Sequence, residues 1–406
     1  MNQNIPTSAG PRATNRHGAV LLIAAILPVM AIVSLVPVMP LLLQEFADVP
    51  GSEFLVPIAL TVPALCVALF SPFAGWLSDR VGRKRVLLVA LLVYAGIGLL
   101  PYFLHDLKQI IVARVGLGIA EAAIMTVATA LIGDYFRGEA RQRWIALQVG
   151  VISISAIVLI AVGGALGEAL GSRGPFLLYL LALPVAVAAA IVLFEPAYHE
   201  HENAPHAGFP FARVLPLAVI TLGSAILFYT IIVQLGPLMT DIGVTSPAII
   251  GAAGAGANLG HVMGSYIFHR LKSWSGPSLL AIGFGVAAIG YLGIGLSGEF
   301  PTRAGAAFVA SVGAGILLPT LLAWMLRELP AQVRGQGTGL WTGTFFFGQF
   351  VAPIIAIALA VPLGNSLINV ILLYSGLAAL GCLISIVVAR LNRSANSRGA
   401  VSPGEF

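Results

Sequence analysis

Apolar runs, each near the length needed to cross a bilayer, recur along this whole chain with only short charged links between them. They fall at 18–43, 55–77, 86–104, 109–133, 144–167, 176–194, 214–239, 247–268, 277–297, 304–326, 336–361 and 367–389, twelve in all. A helix needs about 20 apolar residues to span the hydrocarbon core, and only helices or closed barrels satisfy their backbone groups there. These runs are continuous, without the alternation of barrel strands, so helices are expected. With 58% hydrophobic and 9% charged residues the chain cannot be an ordinary soluble globule. The reading is an all-α membrane protein of twelve transmembrane helices. The first run is longer than the roughly 7–15-residue apolar region of a cleaved signal peptide and lacks a small-residue cleavage site.

Basic residues concentrate on the cytoplasmic side of membrane proteins. With the N-terminus inside, Arg12, Arg16, Arg80, Arg83, Lys84, Arg85, Arg137, Arg141, Arg143, Arg213, Arg270, Lys272, Arg327, Arg334, Arg390, Arg393 and Arg398 are cytoplasmic, against Lys108, Arg173 and Arg303 outside. Both termini are therefore expected in the cytoplasm. The net charge of +5 reflects this topology and gives no reason to invoke nucleic acid. A polar gap splits the runs six and six. The expected organisation is a cytoplasmic tail over 1–17, a six-helix bundle over 18–194, a linker over 195–213, a second bundle over 214–389 and a cytoplasmic tail over 390–406. The linker holds Glu195, His199, Glu200, His201, Glu202 and His206. Their spacing matches no tight metal-ligand set, and a solvated connection is the preferred reading over a metal site.

The link Gly75-Trp-Leu-Ser-Asp-Arg-Val-Gly-Arg-Lys-Arg85 sets a glycine, an acid and a basic cluster between two runs. This pattern resembles the signature loop between the second and third helices of the major facilitator superfamily of secondary transporters, closest to its twelve-helix drug:proton antiporters. The resemblance covers essentially the whole chain and implies two pseudo-symmetric six-helix bundles in a bacterial inner membrane. A weak repeat agrees: Phe136–Arg141 matches Leu329–Arg334, Pro40–Phe46 echoes Pro237–Gly243, and Gly264–Arg270 is a decayed copy of the loop. Asp79 falls at a helix C-terminus, where a carboxylate needs a cationic partner, and Gly75 permits close helix approach. Gly75, Asp79, Arg80, Gly82 and Arg83, with Asp134 and Arg141, form the candidate cytoplasmic gate. The resemblance implies that Asp79, Arg83 and Asp134 hold that side closed in the outward-open state, while for Arg80, Lys84 and Arg85 the preferred reading is that of topology-setting charges.

Only Arg114 and Glu121 among the charged residues fall well inside a run, and such charges mark function by default. Arg114-Val-Gly-Leu-Gly118 resembles the superfamily's helix-four pattern, associated with proton coupling, and Gly118-Ile-Ala-Glu121-Ala resembles a variant found in several branches. Seven residues apart, the two share a helix face about 10 Å from each other along the axis, too far for a simple direct pair. A lone acid in low dielectric can take up and release a proton near neutral pH beside a fixed cation. Glu121 is the candidate proton site, Arg114 its modulator and His261 a second titrating group; a structural carboxylate is the competing reading.

The second half places isolated polar groups in its runs. Tyr229, Gln234, Asn258, His261, Trp341 and Gln349 are the candidate substrate-cavity residues, with Thr230 and Thr342 beside them; each reads equally as an interhelical hydrogen-bonding group. Phe345-Phe346-Phe347 is a packing run or an apolar wall. Cys66 and Cys382 read as small packing residues. No nucleotide-binding loop, zinc set or nucleophile elbow is present, so neither an ATP-driven pump nor an enzyme is expected, and no cofactor beyond the proton gradient as energy source. Gly163-Gly164-Ala-Leu-Gly167 resembles the end of helix five in drug:proton antiporters, although Leu159 and Ile160 stand where those have Gly-Pro. The leading expectation is a monomeric proton-coupled antiporter exporting small amphipathic or cationic compounds, with small-molecule substrate, protons and membrane lipid as partners. The alternatives are a symporter or uniporter of an organic anion or lipid-like metabolite, and a non-transporting sensor.

Overall fold

The computed structural model describes residues 13–196, 209–330 and 333–399, the last segment with side chains up to 392. The linker residues His199, Glu200, His201, Glu202 and His206, and the chain before 13 and after 399, lie outside the described residues. Among the described residues every regular element is a helix. They are α1 (Asn15–Val33), α2 (Met39–Glu45), α3 (Ser52–Val81), α4 (Arg83–Leu99), α5 (Leu107–Tyr135), α6 (Gly138–Leu170), α7 (Ala182–Val192), α8 (Phe211–Thr240), α9 (Pro247–Leu271), α10 (Gly276–Leu296), α11 (Phe300–Glu328), α12 (Arg334–Ala360) and α13 (Leu367–Gly399).

The protein is an integral multi-pass membrane protein, but the count of spans is less regular than twelve equal runs. Among the described residues ten helical stretches are long and apolar enough to cross a membrane, and one of them, Gly138–Val192, extends for 55 residues. At 1.5 Å per residue that exceeds twice the hydrocarbon thickness, and the chain turns back at Gly171, whose φ of +75° favours glycine. Helix α9 does not qualify, because Asn258, His261, Ser265, Tyr266 and His269 dilute its apolar residues. The first run is two helices rather than one, interrupted by a 3₁₀ turn at Val36–Val38 where Pro37 and Pro40 withhold backbone donors. The run expected at 176–194 begins as a 3₁₀ segment, Gly171–Leu181, containing Pro175.

The links after α3, α5, α7, α9 and α11, together with the helix turns that flank them, carry most of the arginines and lysines and define a basic end; the links after α2, α4, α6, α8, α10 and α12 lie at the far end. Helix α5 packs on α1, α3 and α4 in the first bundle, and α11 on α8, α9 and α10 in the second. The bundles meet along α6 with α9 and α3 with α12, joined by the Val36–Val38 turn against α8 and α9. The α6–α9 contact lies at the far end: a Cβ on Gly164 would sit 2.5 Å from Pro247 O, and one on Gly251 2.9 Å from Ile160 O. Gly236 packs on Pro40 at the same end. Among the described residues α5 and α6 make no substantial contact with α11 or α12. Near the basic end α6 exposes Leu147, Val149 and Ile154. The halves therefore converge at the far end and part toward the basic end, leaving a cleft between them.

Candidate functional site

Helix α5 brings two charges into the core of the first half. Arg114 is 1% exposed, and its guanidinium is engaged by neutral groups on three elements. Nε donates to Ala59 O at 2.8 Å, Nη2 to Ala31 O at 2.6 Å and Leu60 O at 3.1 Å, and Nη1 to the Tyr179 hydroxyl at 2.5 Å. The Tyr179 hydroxyl in turn donates to Ala31 O at 3.0 Å. These carbonyls stand near Pro28 in α1 and Pro57 and Pro63 in α3, so the cation ties proline-containing stretches of helix together. Gly118, one turn on, lets α5 approach α3 so closely that a Cβ would lie 2.6 Å from Pro63 Cα and 2.7 Å from Cys66 Cβ.

Glu121 differs. It is 4% exposed, and its Oε2 is buried without a hydrogen-bond partner. It lies within electrostatic reach of Arg114 and Cys66 in its own half and of Tyr229 on α8 in the other. Burying a carboxylate oxygen without a partner is strongly disfavoured, which sets Glu121 apart from the hydrogen-bonded Arg114 on the same helix.

Across the cleft, the second half gathers part of the expected cavity set. The His261 ring lies 4.6 Å from Phe228, Phe228 touches Tyr229 at 4.8 Å, Tyr229 meets Phe345 at 5.1 Å, and Trp341 stacks on Phe345 at 5.3 Å with planes 5° apart. Helices α8, α9 and α12 thus supply one aromatic cluster. His261 Nδ1, Trp341 Nε1, Gln234 Nε2 and Gln349 Oε1 are buried without partners. Asn258 instead donates to Gly254 O on its own helix at 3.0 Å. Gln234, Asn258 and Gln349 stand outside the ring contacts. Cys66 and Cys382 are both free thiols.

At the basic end Arg83 joins two acids: Nη2 is 2.8 Å from Asp79 Oδ1 and Nη1 2.5 Å from Asp134 Oδ2. Arg80 lies over the Trp76 ring at 4.2 Å, and the Arg141 guanidinium lies against Gly133. Gly82, at φ +109°, makes the turn from α3 to α4. Gly75 faces Thr126 with ordinary room for a Cβ, so close approach is not what occupies this position in the present conformation. All these contacts lie within the first half.

Three functional-looking side chains escaped sequence reading. Tyr179 sits in a run that reads as aliphatic; its lone hydroxyl was the available signal. Glu195 reads as linker, yet its carboxylate accepts from the N–H groups of Arg83 at 2.5 Å and Lys84 at 3.1 Å, capping α4. Glu168 follows directly on the run that ends at 167, with no local pattern to mark it, yet it contacts the opposite half.

Two helical bundles that meet at one end and part at the other, with one acid that is both buried and unpartnered among the described residues, have the build of a secondary transporter of the membrane. The chain belongs to the Major Facilitator Superfamily, whose sequence profile matches residues 21–353. It is a transporter of small molecules rather than an enzyme. It is 25% identical over 348 residues to the tetracycline resistance protein, class B, of Escherichia coli, covering 80% of this chain and 84% of that one. The class H tetracycline resistance protein of Pasteurella multocida is 28% identical over 181 residues, a match limited to 45% of each chain. The crystal structure of a bacterial homolog to the human lysosomal transporter Spinster, inward-facing and occupied, is similar in fold, with a TM-score of 0.72 over 97% of this chain and 100% of that one at 14% identity.

Proposed function

We propose that the protein is a proton-coupled antiporter that exports small amphipathic or cationic organic compounds by alternating access of its two halves. The observation that carries this reading is the contrast within α5: Arg114 is engaged by four hydrogen bonds, whereas the Glu121 carboxyl group is buried with Oε2 unpartnered. The first is a fixed strut and the second a group free to change protonation. The tetracycline resistance relatives favour export. The concentration of basic residues at one end supports a cytoplasmic position for that end and for both termini, in which the cleft described above opens inward. The bilayer is the bacterial inner membrane, the proton gradient the energy source, and a monomer encloses the whole pathway. In this scheme the aromatic cluster around Tyr229, His261 and Trp341, with Gln234, Asn258 and Gln349, receives substrate, and the Asp79, Arg83 and Asp134 network braces the cytoplasmic gate. The reading in which Arg114 contacts an organic anion has little support, because four of its five N–H donors are already used.

The test is flux of cationic, neutral and anionic compounds in proteoliposomes under an imposed pH gradient, for wild type and Glu121→Gln. Counter-directional flux driven by the gradient and abolished by the substitution is expected. Co-directional flux, or flux that survives the substitution with its gradient dependence intact, overturns the assignment.

A further inference from the structure

At the far end, Glu168 near the C-terminus of α6 reaches across to the other half. Its Oε2 accepts from Ser246 Oγ at 2.7 Å and from the Ala248 backbone N–H at 3.4 Å. Ser246 is the N-cap residue of α9, a 25-residue helix, so the carboxylate sits where unsatisfied amide donors and the positive end of the helix dipole converge. Beneath it, Gly164 and Gly167 admit Pro247 and Gly251 against the backbone of α6; a Cβ on Gly164 would meet Gly251 Cα at 3.0 Å and one on Gly167 would meet Pro247 Cβ at 3.1 Å. Among the described residues only one other polar contact crosses between the halves, a 3.4 Å hydrogen bond from Thr61 Oγ1 to Phe350 O. The remaining ion pairs at this end, Arg173 with Glu45 and Arg303 with Asp241, each stay within one half.

We propose that Glu168 is a protonatable latch of the far end: ionised, it clips the start of α9 onto α6 and holds that end shut, and a proton arriving from that side releases it. Opening the far end must pull α9 from α6, which separates the carboxylate from both of its donors. Neutralising the carboxylate removes its attraction for the helix terminus and so favours the open arrangement. The groups that can modulate it are few. Of the elements packed on α6, the Val36–Val38 turn contributes no titratable side chain, α5 contributes Lys108 at this end, and the Gly171–Leu181 segment contributes Arg173, already bonded to Glu45, and the buried Tyr179. Helix α9 carries no titratable group before His261, nor α1 any beyond His17 at the basic end. The value of this latch to transport rests on the proton-coupled reading, since acid outside would then open the side from which the coupling proton enters. The latch itself does not rest on that reading.

The experiment reads conformation without substrate or flux, so its failure is separable from failure of the Glu121 assay. Spin labels are placed at Gln109→Cys and Thr302→Cys, exposed far-end positions in opposite halves, in a Cys66→Ala, Cys382→Ala background in lipid nanodiscs. Distances between them are measured by pulsed electron resonance at about pH 7.5 and about pH 3.5, on either side of the ordinary glutamate value of about 4.3. Loss of one helix cap predicts about a fivefold rise in the ratio of open to closed far-end distances for Glu168→Ala, with a smaller rise for Ser246→Ala. The starting protein should show the rise on acidification, and Glu168→Gln should show the raised ratio at both pH values. Ratios unchanged in Glu168→Ala and Ser246→Ala overturn the latch. A ratio that rises in those variants but ignores pH in the unsubstituted background overturns the proton's part.

Discussion

Arg114 Nη1 and the Tyr179 hydroxyl meet at 2.5 Å in the core of the first half, tying α5 to the 3₁₀ segment that follows α6. The same tyrosine also holds Ala31 O, so cation and hydroxyl share one carbonyl of α1. A charge in such surroundings is kept by geometry: every donor it spends goes to a backbone or phenol oxygen, in a site that leaves the residue 1% exposed.

Replacing Arg114 by Ala takes the cation from the carbonyls of Ala59 and Leu60 and leaves Ala31 O and the Tyr179 hydroxyl with only each other, which is expected to cost about 3 kcal/mol or more. Lysine cannot reproduce the spread of donors, so Arg114→Lys recovers little of this. Tyr179→Phe removes one hydrogen bond and should cost about 1 kcal/mol. Thermal unfolding in detergent should rank wild type above Tyr179→Phe and both above Arg114→Lys; an Arg114→Lys variant as stable as wild type contradicts the strut assignment.

The α6–α9 crossing gives a paired test on one helix. A Cβ at Gly164 lies 2.5 Å from a backbone oxygen, whereas at Gly150 nothing stands within 4 Å. Overpacking of this kind costs about 1–3 kcal/mol, and here the strain falls only on the arrangement with the far end closed. Gly164→Ala should therefore slow transport about tenfold or more, as 1.4 kcal/mol is tenfold in an equilibrium, while Gly150→Ala leaves it unchanged.

How much of this was legible beforehand follows the physics of each signal. Membrane insertion and helical class were plain, because continuous apolar length has few alternative meanings. The singular positions of Arg114 and Glu121 were equally plain, since a charge in a run stands out by type alone. Their different fates were not, because partners such as Ala31 O and Ala59 O are backbone atoms that any sequence would supply. Pro37, Pro40 and Pro175 were visible, yet whether a proline kinks a helix or ends it depends on neighbours that re-satisfy the freed carbonyls. The dilution of α9 by Asn258 and His261 hid in a window average. Glu168 and Glu195 looked like solvated charges, since capping a distant helix depends on tertiary placement rather than on local pattern.

The signature network offers a measurable coupling. Arg83 bridges Asp79 and Asp134 with side chains 19%, 49% and 26% exposed. Pairs this open to solvent contribute modestly, about 0.2–1 kcal/mol each. A double-mutant cycle on unfolding should give a larger coupling for Arg83→Ala with Asp134→Asn than with Asp79→Asn, since Asp134 is the less exposed partner. Equal couplings near zero in both cycles would show that the network lends the first half no stability in this conformation.

The buried orphans of the second half should trade stability against function. Gln349 is 4% exposed with Oε1 unpartnered, and leaving a buried polar atom unsatisfied costs about 1–3 kcal/mol. Methionine is close to glutamine in shape and carries no such demand, so Gln349→Met is expected to raise the thermal midpoint. If the amide is held ready for substrate, the same variant should transport less well, with the loss appearing in substrate affinity rather than in the dependence on the pH gradient. Asn258, which already bonds Gly254 O, provides the contrast: Asn258→Leu removes a satisfied group and should bring no gain in midpoint. A Gln349→Met variant that loses stability would mean that the amide makes a structural hydrogen bond and is not waiting for a ligand.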